Sequence, residues 1–169
     1  MVFDIHELGH QYQGFLRIGA STTIAQYILP SCLAFFKEKF PDLTIILETK
    51  NTEEIEQLLE EKKIDIGFIE GFSKLVLFNY TSFLEDELVL VCRKNHDLTK
   101  LSQVVKEDLY KYGWVTRENG SGSLETINHH LKNAGIDVKK LQIEIQLGSS
   151  KSIKSYVINS NTVSFISAL

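Results

Sequence analysis

Apolar residues along the chain recur with two alternating periods, one typical of strands and one typical of helices. Short apolar runs predict strands over 15–20, 44–49, 64–69, 113–117, 142–146 and 162–166. Apolar residues three and four positions apart predict helices that begin at 21–23, 51–52, 120–123 and 149–150. Strands that alternate with helices need crossover connections, so we expect parallel sheets and an α/β fold.

Local breaks refine these elements. Pro30 lies inside the helical pattern of residues 24–40 and cannot donate the backbone hydrogen bond of that position, so we expect a kink or a short first turn there. Gly135 follows the apolar face of a later helix and is typical of a C-terminal cap. The remaining expectations are extended runs over 78–84 and 88–92 and a short helix over about 102–109.

A strand, a hydroxyl-rich turn and a helix recur on both sides of residue 87. This recurrence predicts two related α/β lobes, with residues 14–86 in the first and residues 87–169 in the second. Residues 4–13 are polar with sparse apolar positions, and this pattern predicts the end of a helix or a linker.

Composition and charge narrow the functional classes. The net charge of −4 and the pI near 5.7 argue against a nucleic-acid-binding surface, which needs clustered Lys and Arg. No run approaches the roughly 20 apolar residues of a membrane span. The N-terminus lacks the basic and then apolar order of a secretory signal. We therefore expect a cytoplasmic protein without a membrane partner.

The two cysteines, Cys32 and Cys92, each lie in an apolar run, and we expect both to be buried and reduced. The five histidines are scattered, and no spacing typical of zinc ligands appears. The sequence indicates neither a metal site nor a cofactor.

Small hydroxyl residues follow three of the predicted strands, at the points where helices begin. Side chains at the carboxyl ends of parallel strands line the crevice in which α/β proteins bind ligands. Helix N-termini also attract anions. Any one such junction is more simply explained as a helix cap, which Ser and Thr favour. Three junctions together favour a site for a small anion or carboxylate. The candidate residues are Ser21, Thr22, Thr23, Ser121, Ser123 and Ser149.

Two charged residues are further candidates, each with an alternative. Glu70 follows a strand, and it either borders the same crevice or lies solvated in a loop. Arg117 ends a strand, and it either neutralises an anion or pairs with Glu118 or Glu125.

Signs of catalysis are weak. The run 120–123 lacks the Lys of a phosphate-binding loop and the spacing of a nucleophile elbow, and no Ser–His–acid set can be assembled. His129 and His130 lie within a helix, where at least one must be exposed, so we expect a surface role. Trp114 lies in a strand, and we expect it to be a core residue. These observations predict a protein that is not an enzyme.

An ordered set of segments resembles the effector-binding domain of LysR-type transcription regulators, from about Gly14 to the end of the chain. The segments similar to the domain's opening, third strand, crossover strand, second-lobe loop and next helix are 15–41, 64–71, 88–91, 114–123 and 149–157.

The resemblance implies two Rossmann-like lobes of the type II periplasmic-binding-protein kind, with a small effector bound between them. Effector contacts then fall on the six hydroxyl residues above, with Glu70 as a further position. A homo-oligomer, dimer or tetramer, and DNA contact through an N-terminal helix-turn-helix domain are also implied. Residues 1–13 resemble the tail of the linker helix that precedes the sensing domain. The family continues past the position of Leu169 with a return to the first lobe, so we expect an incomplete first lobe.

The function that follows is a cytoplasmic sensor of a small anionic metabolite. Residues 69–71 and 117–122 are similar to a branch of the family associated with sulfur metabolism, so sulfate, sulfite or a related oxyanion is the first candidate. The alternative is a periplasmic-type solute-binding protein, which shares the fold and is disfavoured by the lack of a signal sequence. A small α/β enzyme is a third reading without a catalytic set to support it.

Overall fold

The computed structural model describes residues 6–8, 11–72 and 75–169, with side chains from Gly14 onward. The chain divides into two compact units, Met1–Glu70 and Gly71–Leu169. These units are defined by contacts within the chain and divide it at residue 70. The prediction that the effector-binding lobes meet at residues 86 and 87 stays a prediction.

In the first unit a long central strand organises one sheet. The elements are β1 (His6–Leu8), β2 (Gln11–Ser21), α1 (Thr22–Tyr27), α2 (Leu29–Lys39), β3 (Leu43–Lys50), α3 (Thr52–Glu60) and β4 (Ile66–Phe68). The strand β2 pairs in parallel with β3 and β4 and antiparallel with β1. The predicted parallel sheet is therefore confirmed for this unit. The predicted helix end or linker differs, since 6–8 and 11–13 are strands. Residues 1–5 and 9–10 lie outside the described part.

Alternate residues of β2 pack on opposite sides of the sheet. Ile18 and Ala20 join Ile24 and Leu29 of the two following helices in one buried cluster. On the other side, a Cβ at Gly19 would lie 2.5 Å from Ile64 and 2.9 Å from Ile55. Only a residue without a side chain lets α3 approach β2 so closely.

The first helical segment bends where Pro30 predicts it. The helix α1 ends at Tyr27, Ile28 separates it from α2, and Pro30 lies in the first turn of α2. The prediction that Cys32 is buried is wrong, because this thiol is exposed. The inward face of α2 runs through Leu29 and Leu33, and Cys32 lies beside that face rather than on it. Cys92 is half-buried, and burial raises the pKa of its thiol.

An ion pair joins the start of β4 to β2. The Arg17 guanidinium donates from Nη2 to Asp65 Oδ1 over 2.6 Å, and the Arg17 backbone N–H donates to Asp65 Oδ2 over 2.8 Å. The Asp65 backbone N–H donates in turn to the Arg17 carbonyl over 2.8 Å. These hydrogen bonds, first of all that from the guanidinium, hold the pKa of the Asp65 carboxyl below its ordinary value.

The second unit contains two strand pairs that share a bridge. Its elements are β5 (Leu88–Val91), β6 (Gly113–Arg117), α4 (Gly122–Asn133), β7 (Gln142–Leu147), α5 (Ser150–Ile158) and β8 (Ser164–Ser167). The strand β6 pairs in parallel with β7, and β5 pairs antiparallel with β8. Trp114 bridges to Val163, which joins β6 to the segment that leads into β8.

Two adjacent residues of β6 divide the core of this unit between them. Trp114, which is 1% exposed, packs with Leu131 and Val163 in one cluster, and its indole N–H donates to the Leu109 carbonyl over 2.8 Å. Val115 packs on the opposite side with Ile153 of α5. The prediction that Trp114 is a core residue is confirmed.

The helix α4 ends as Gly135 predicts. The Gly135 N–H donates to the Lys132 carbonyl and the Ile136 N–H donates to the Leu131 carbonyl, each over 2.9 Å, and Gly135 has a φ of 75°. This pair of bonds is a Schellman motif. Leu131 and Ile136 lie in the same buried cluster, so the motif is closed by apolar contact.

Two predicted elements of the second unit differ in the structure. The run 78–84 is irregular rather than a strand, and Phe83 and Leu84 are exposed on it. A run of apolar residues forms a strand only where a neighbouring strand accepts its hydrogen bonds. The short helix over 102–109 is replaced by two 3-10 turns, Asp97–Lys100 and Lys106–Lys111.

Within the described residues, no helix combines the length and apolar character needed to cross a membrane.

The substitution Asp65→Asn tests the ion pair between β4 and β2. Since the pKa of Asp65 is depressed in the folded state, its stabilisation is present above the unfolded pKa of about 3.9 and is lost as the pH falls through the lower folded value. We expect the variant to have a smaller free energy of unfolding at pH 7, with the difference closing below about pH 4. Urea unfolding across this range measures it.

The control is Asp42→Asn, which makes the same charge change at an exposed position in the turn before β3. A loss of equal size and equal pH dependence in Asp42→Asn would show that net charge, rather than the pair with Arg17, produces the effect.

Candidate functional site

In the first unit, the candidate residues lie at the carboxyl edge of the parallel sheet. Ser21 is the last residue of β2, and Thr22 is the first residue of α1. Because Ala20 is in register with Phe68, Glu70 follows the neighbouring strand β4 at the same edge. The structure thus brings Ser21, Thr22 and Glu70 to one edge, as the α/β pattern predicts.

Two hydroxyls at this edge have no hydrogen-bond partner in the described structure. Ser21 is 2% exposed, and its Oγ is buried and unpaired, as is Oγ1 of Thr22. Ser21 precedes α1 but makes no side-chain capping bond. A cap therefore does not explain Ser21 in this structure.

The other two candidates of the first unit already have interactions. Thr23 is buried within α1, Glu70 is half-buried, and both have interaction partners. The Glu70 carbonyl accepts a hydrogen bond from Thr52 Oγ1 over 3.0 Å, so the first residue of α3 holds the backbone after β4 in place. This bond fixes the Glu70 backbone, and the place of its side chain in the crevice stays a prediction.

In the second unit, a tight turn joins β6 to α4. The Ser121 N–H donates to the Glu118 carbonyl over 3.3 Å, and Gly120 between them has a φ of 82°. A positive φ at the third residue of a four-residue turn is typical of type II and favours Gly. Two residues of this junction are buried, namely Arg117 before the turn and Ser121 at its end.

Arg117, which is buried, forms an ion pair with the half-buried side chain of the next residue. Its Nε donates to Glu118 Oε2 over 2.8 Å and its Nη2 donates to Glu118 Oε1 over 2.9 Å. The Arg117 side chain is 3% exposed, and its Nη1 is buried without a partner in the described structure. Of the alternatives for Arg117, the pair with Glu118 is confirmed, and one nitrogen is left without a partner in the described structure.

Ser121 and Ser149 occupy similar positions and behave differently. Ser149 Oγ accepts a hydrogen bond from the Ser152 N–H over 3.1 Å, which makes it the cap of α5, and it also bonds Ser152 Oγ over 2.9 Å. Ser121 precedes α4 without any side-chain capping bond, and its Oγ is buried and unpaired in the described structure. The cap therefore explains Ser149 and does not explain Ser121.

Sequence reasoning missed one residue of this junction. Thr116, the penultimate residue of β6, has a buried Oγ1 without a partner in the described structure. A Thr in a strand carries no distinctive signal, since Thr favours strands for packing reasons. The predicted candidate Ser123 is buried in the first turn of α4 and already has an interaction partner.

The unpaired atoms are confined to these two junctions. Across the described residues, the buried side-chain atoms without a hydrogen-bond partner are Ser21 Oγ, Thr22 Oγ1, Thr116 Oγ1, Arg117 Nη1 and Ser121 Oγ. Buried polar groups in native proteins are nearly all hydrogen-bonded, so a group of orphans at strand ends is typical of a ligand site.

Other candidate chemistry is weaker. Nowhere in the described ranges do three or more His, Cys, Asp or Glu side chains form a group that could hold a metal ion. His129 and His130 are exposed and contact Phe72, with ring centroids 4.7 and 5.7 Å away. The expected surface role of the two histidines is confirmed.

Comparison with known proteins identifies relatives over almost the whole chain. Residues 9–169 match the family model described as the LysR substrate binding domain. The regulator CysL of Bacillus subtilis is 34% identical over 164 residues, which are 97% of this chain and 54% of CysL. A "Probable RuBisCO transcriptional regulator" of Cyanidioschyzon merolae is 33% identical over 156 residues, which are 90% of this chain and 52% of that protein. The chain spans about half the length of the curated relatives it matches.

Solved structures share the fold. The regulatory domain of CcmR from Synechocystis PCC6803, in complex with 2-PG, has a TM-score of 0.80 and 27% identity, covering 92% of this chain and 73% of that one. The effector-binding domain of QuiR, in complex with shikimate, has a TM-score of 0.81 and 18% identity, covering 93% of this chain and 75% of that one. The predicted fold class of two Rossmann-like lobes of the type II periplasmic-binding-protein kind is confirmed by these likenesses.

The family model and the fold agree with the ordered motifs, and the chain belongs to the LysR substrate-binding-domain family.

Proposed function

We propose that this chain is the effector-sensing part of a LysR-type transcription regulator and that it binds a small anionic metabolite through its strand-to-helix junctions. The observation that carries the proposal is the set of unpaired buried side-chain atoms, which in the described structure lie only at these junctions. The curated relatives reported above are transcriptional regulators, which favours a binding role over a catalytic one.

The energetic argument starts from the cost of the orphans. A buried polar atom without a partner costs about 1–3 kcal/mol, so several of them at two short junctions are retained against a stability cost. A ligand that supplies the missing hydrogen bonds would recover this cost on binding. Proteins keep such groups where they bind ligands, because the unsatisfied atoms then select the ligand that completes them.

The chemistry of the orphan atoms favours an acceptor-rich ligand. Arg117 Nη1 can only donate, and the hydroxyls of Ser21, Thr22, Thr116 and Ser121 can donate as well. The helix α4 begins at the second junction, and its first N–H groups and dipole favour negative charge. Oxygen atoms of a carboxylate or another oxyanion are therefore the groups that these junctions would bind best.

Similar domains hold small ligands, which supports the proposal. The CcmR domain was solved with 2-PG and the QuiR domain with shikimate, and an OxyR2 regulatory domain of Vibrio vulnificus was solved with sulfate bound. Within the anion class, a sulfur oxyanion such as sulfate or sulfite is our first candidate, from the resemblance of the segments around Glu70 and Arg117.

For the whole protein we propose the mode of action that the family resemblance implies. The regulator would be a cytoplasmic homo-oligomer, a dimer or tetramer, that contacts DNA through a helix-turn-helix domain outside this chain. The effector would act by binding one of two states of that oligomer more tightly than the other, since only a difference in affinity can shift the equilibrium. Thr23, Glu70, Ser123 and Ser149 remain proposed contacts beside the orphan atoms.

The proposal predicts that a small oxyanion or carboxylate stabilises the protein. A ligand that binds only the folded state at 100 times its Kd adds about 2.7 kcal/mol to the free energy of unfolding. We expect thermal unfolding to show such a shift for one anion class. The shift should be lost in Ser121→Ala or in Ser21→Ala, according to which junction binds the anion. The unliganded stability of both variants should stay equal or rise, because neither hydroxyl has a hydrogen-bond partner to lose in the described structure.

A shift that survives both substitutions would contradict the role of these hydroxyls. The variant that loses the shift identifies the unit whose junction binds the anion. A folded wild-type chain that responds to neither oxyanions nor carboxylates would contradict the proposal of an anionic effector.

Ser149→Ala separates a cap from an orphan hydroxyl. Because Ser149 Oγ accepts the Ser152 N–H, we expect this substitution to lower the free energy of unfolding by about 1 kcal/mol without any ligand present. Chemical denaturation of Ser149→Ala and Ser121→Ala in parallel measures the contrast. Equal losses in the two variants would mean that Ser121 also caps its helix in solution.

A further inference from the structure

The charged side chains at the start of α4 do not make a cationic site. The guanidinium of Arg117 is already paired with Glu118 through two hydrogen bonds. A second carboxylate, that of Glu125, lies in the first turn of α4 and accepts a hydrogen bond from the Phe72 N–H over 3.2 Å. Within this group of three charged side chains, the carboxylates outnumber the guanidinium.

Glu125 lies close to the beginning of the helix. A Cβ at Gly71 would be 2.6 Å from Glu125 Oε2 and 3.3 Å from the Cα of Gly122, the first residue of α4. The carboxylate and the helix N-terminus therefore flank the same point of the backbone. The carboxylate of Glu125 therefore already compensates part of the positive charge of the helix N-terminus, which is about half an elementary charge.

We propose that this junction selects singly charged anions over doubly charged ones, and that Glu118 sets the selection by neutralising Arg117. The inference rests on the proposed anion site and narrows its ligand class to a carboxylate or a singly charged oxyanion. Among the sulfur oxyanions proposed above, it favours hydrogensulfite over sulfate. Glu118 acts here as a positioning residue, since it controls the charge and the free donor of Arg117.

The physical reason is the balance of charge among Arg117, Glu118 and Glu125. A ligand is held at Arg117 Nη1 and Ser121 Oγ by hydrogen bonds, which one oxygen-bearing group can complete whatever its total charge. Each further negative charge on the ligand is repelled by two carboxylates and attracted by one guanidinium. Since Arg117 is nearly fully buried and the two carboxylates are half-buried, this repulsion is screened less than it would be in bulk water.

The geometry of the turn keeps the arrangement in place. The Ser121 N–H bonds the Glu118 carbonyl, so the residue that neutralises Arg117 and the residue that carries the free hydroxyl are tied to one turn. Glu118 uses both of its carboxylate oxygens on Nε and Nη2, which leaves only Nη1 of the guanidinium without a partner in the described structure. Arg117 thus offers a ligand one free nitrogen, not the pair of nitrogens that would bind a carboxylate through two parallel hydrogen bonds.

Titration calorimetry on the chain tests the inference with three probes at equal ionic strength: methanesulfonate and nitrate, which carry one charge, and sulfate, which carries two. We expect the wild type to bind both monoanions more tightly than sulfate. In Glu118→Gln the pair with Arg117 loses its negative charge, so the affinity for sulfate relative to methanesulfonate should rise about tenfold. A ratio between two ligands cancels general losses of affinity.

Two control variants isolate the charge of Glu118. Glu118→Asp keeps the charge with a shorter side chain and should keep the wild-type ratio. Glu107→Gln makes the same change of net charge at an exposed residue of the 3-10 turn Lys106–Lys111, and it should also leave the ratio unchanged. A ratio that shifts in Glu118→Gln alone supports the proposal.

The opposing results are distinct. Tighter binding of sulfate than of both monoanions by the wild type overturns the inference, and this holds even if Glu118→Gln does not fold. An unchanged ratio in folded Glu118→Gln also overturns it, while the proposed anion site stands. Failure of all three probes, and of the wider oxyanion and carboxylate series, to bind the wild type would overturn the proposed function together with the inference.

Discussion

A guanidinium buried at the end of a strand constrains the second unit more than any other group. Arg117 is 3% exposed, so water cannot solvate its charge and the protein must compensate it. The carboxylate comes from Glu118, the next residue, although successive side chains of a strand point to opposite faces. The strand therefore has to end at Arg117, and Gly120 with its φ of 82° allows the chain to turn at once into α4. The helix α4 begins directly after the turn that carries Glu118.

The same constraint explains why Ser121 differs from a helix cap. A capping serine turns its hydroxyl toward the N–H groups of its own helix, as Ser149 does for Ser152. Ser121 precedes a helix of twelve residues and makes no such bond. At the first junction Ser21 likewise makes no capping bond to α1. Both hydroxyls are buried without capping their helices, which is why we propose them as ligand contacts.

Much of the fold was predictable because its signals are local. Pro30 and Gly135 act through their own backbone geometry, and the structure has the break at Ile28 and the Schellman motif after α4 where these residues predict them. Trp114 lies in the core, as the position of a large aromatic residue in a strand predicts. Cys32 was misplaced because an apolar residue near a helical face need not lie on it. The run 78–84 failed because a strand needs a partner, which its own residues do not specify.

The sequence by itself determined the family, the order of strands and helices, and the junctions at which polar side chains gather, because periodicity and motif order are properties of the chain alone. Only the tertiary structure decided which members of those junctions are free. It showed that Ser149 is a cap, that Arg117 is neutralised by Glu118 with one nitrogen left over, and that Thr116 belongs to the set. The physical reason is that hydrogen-bond satisfaction and burial depend on what packs around a group in three dimensions, and neighbours in sequence do not specify that environment.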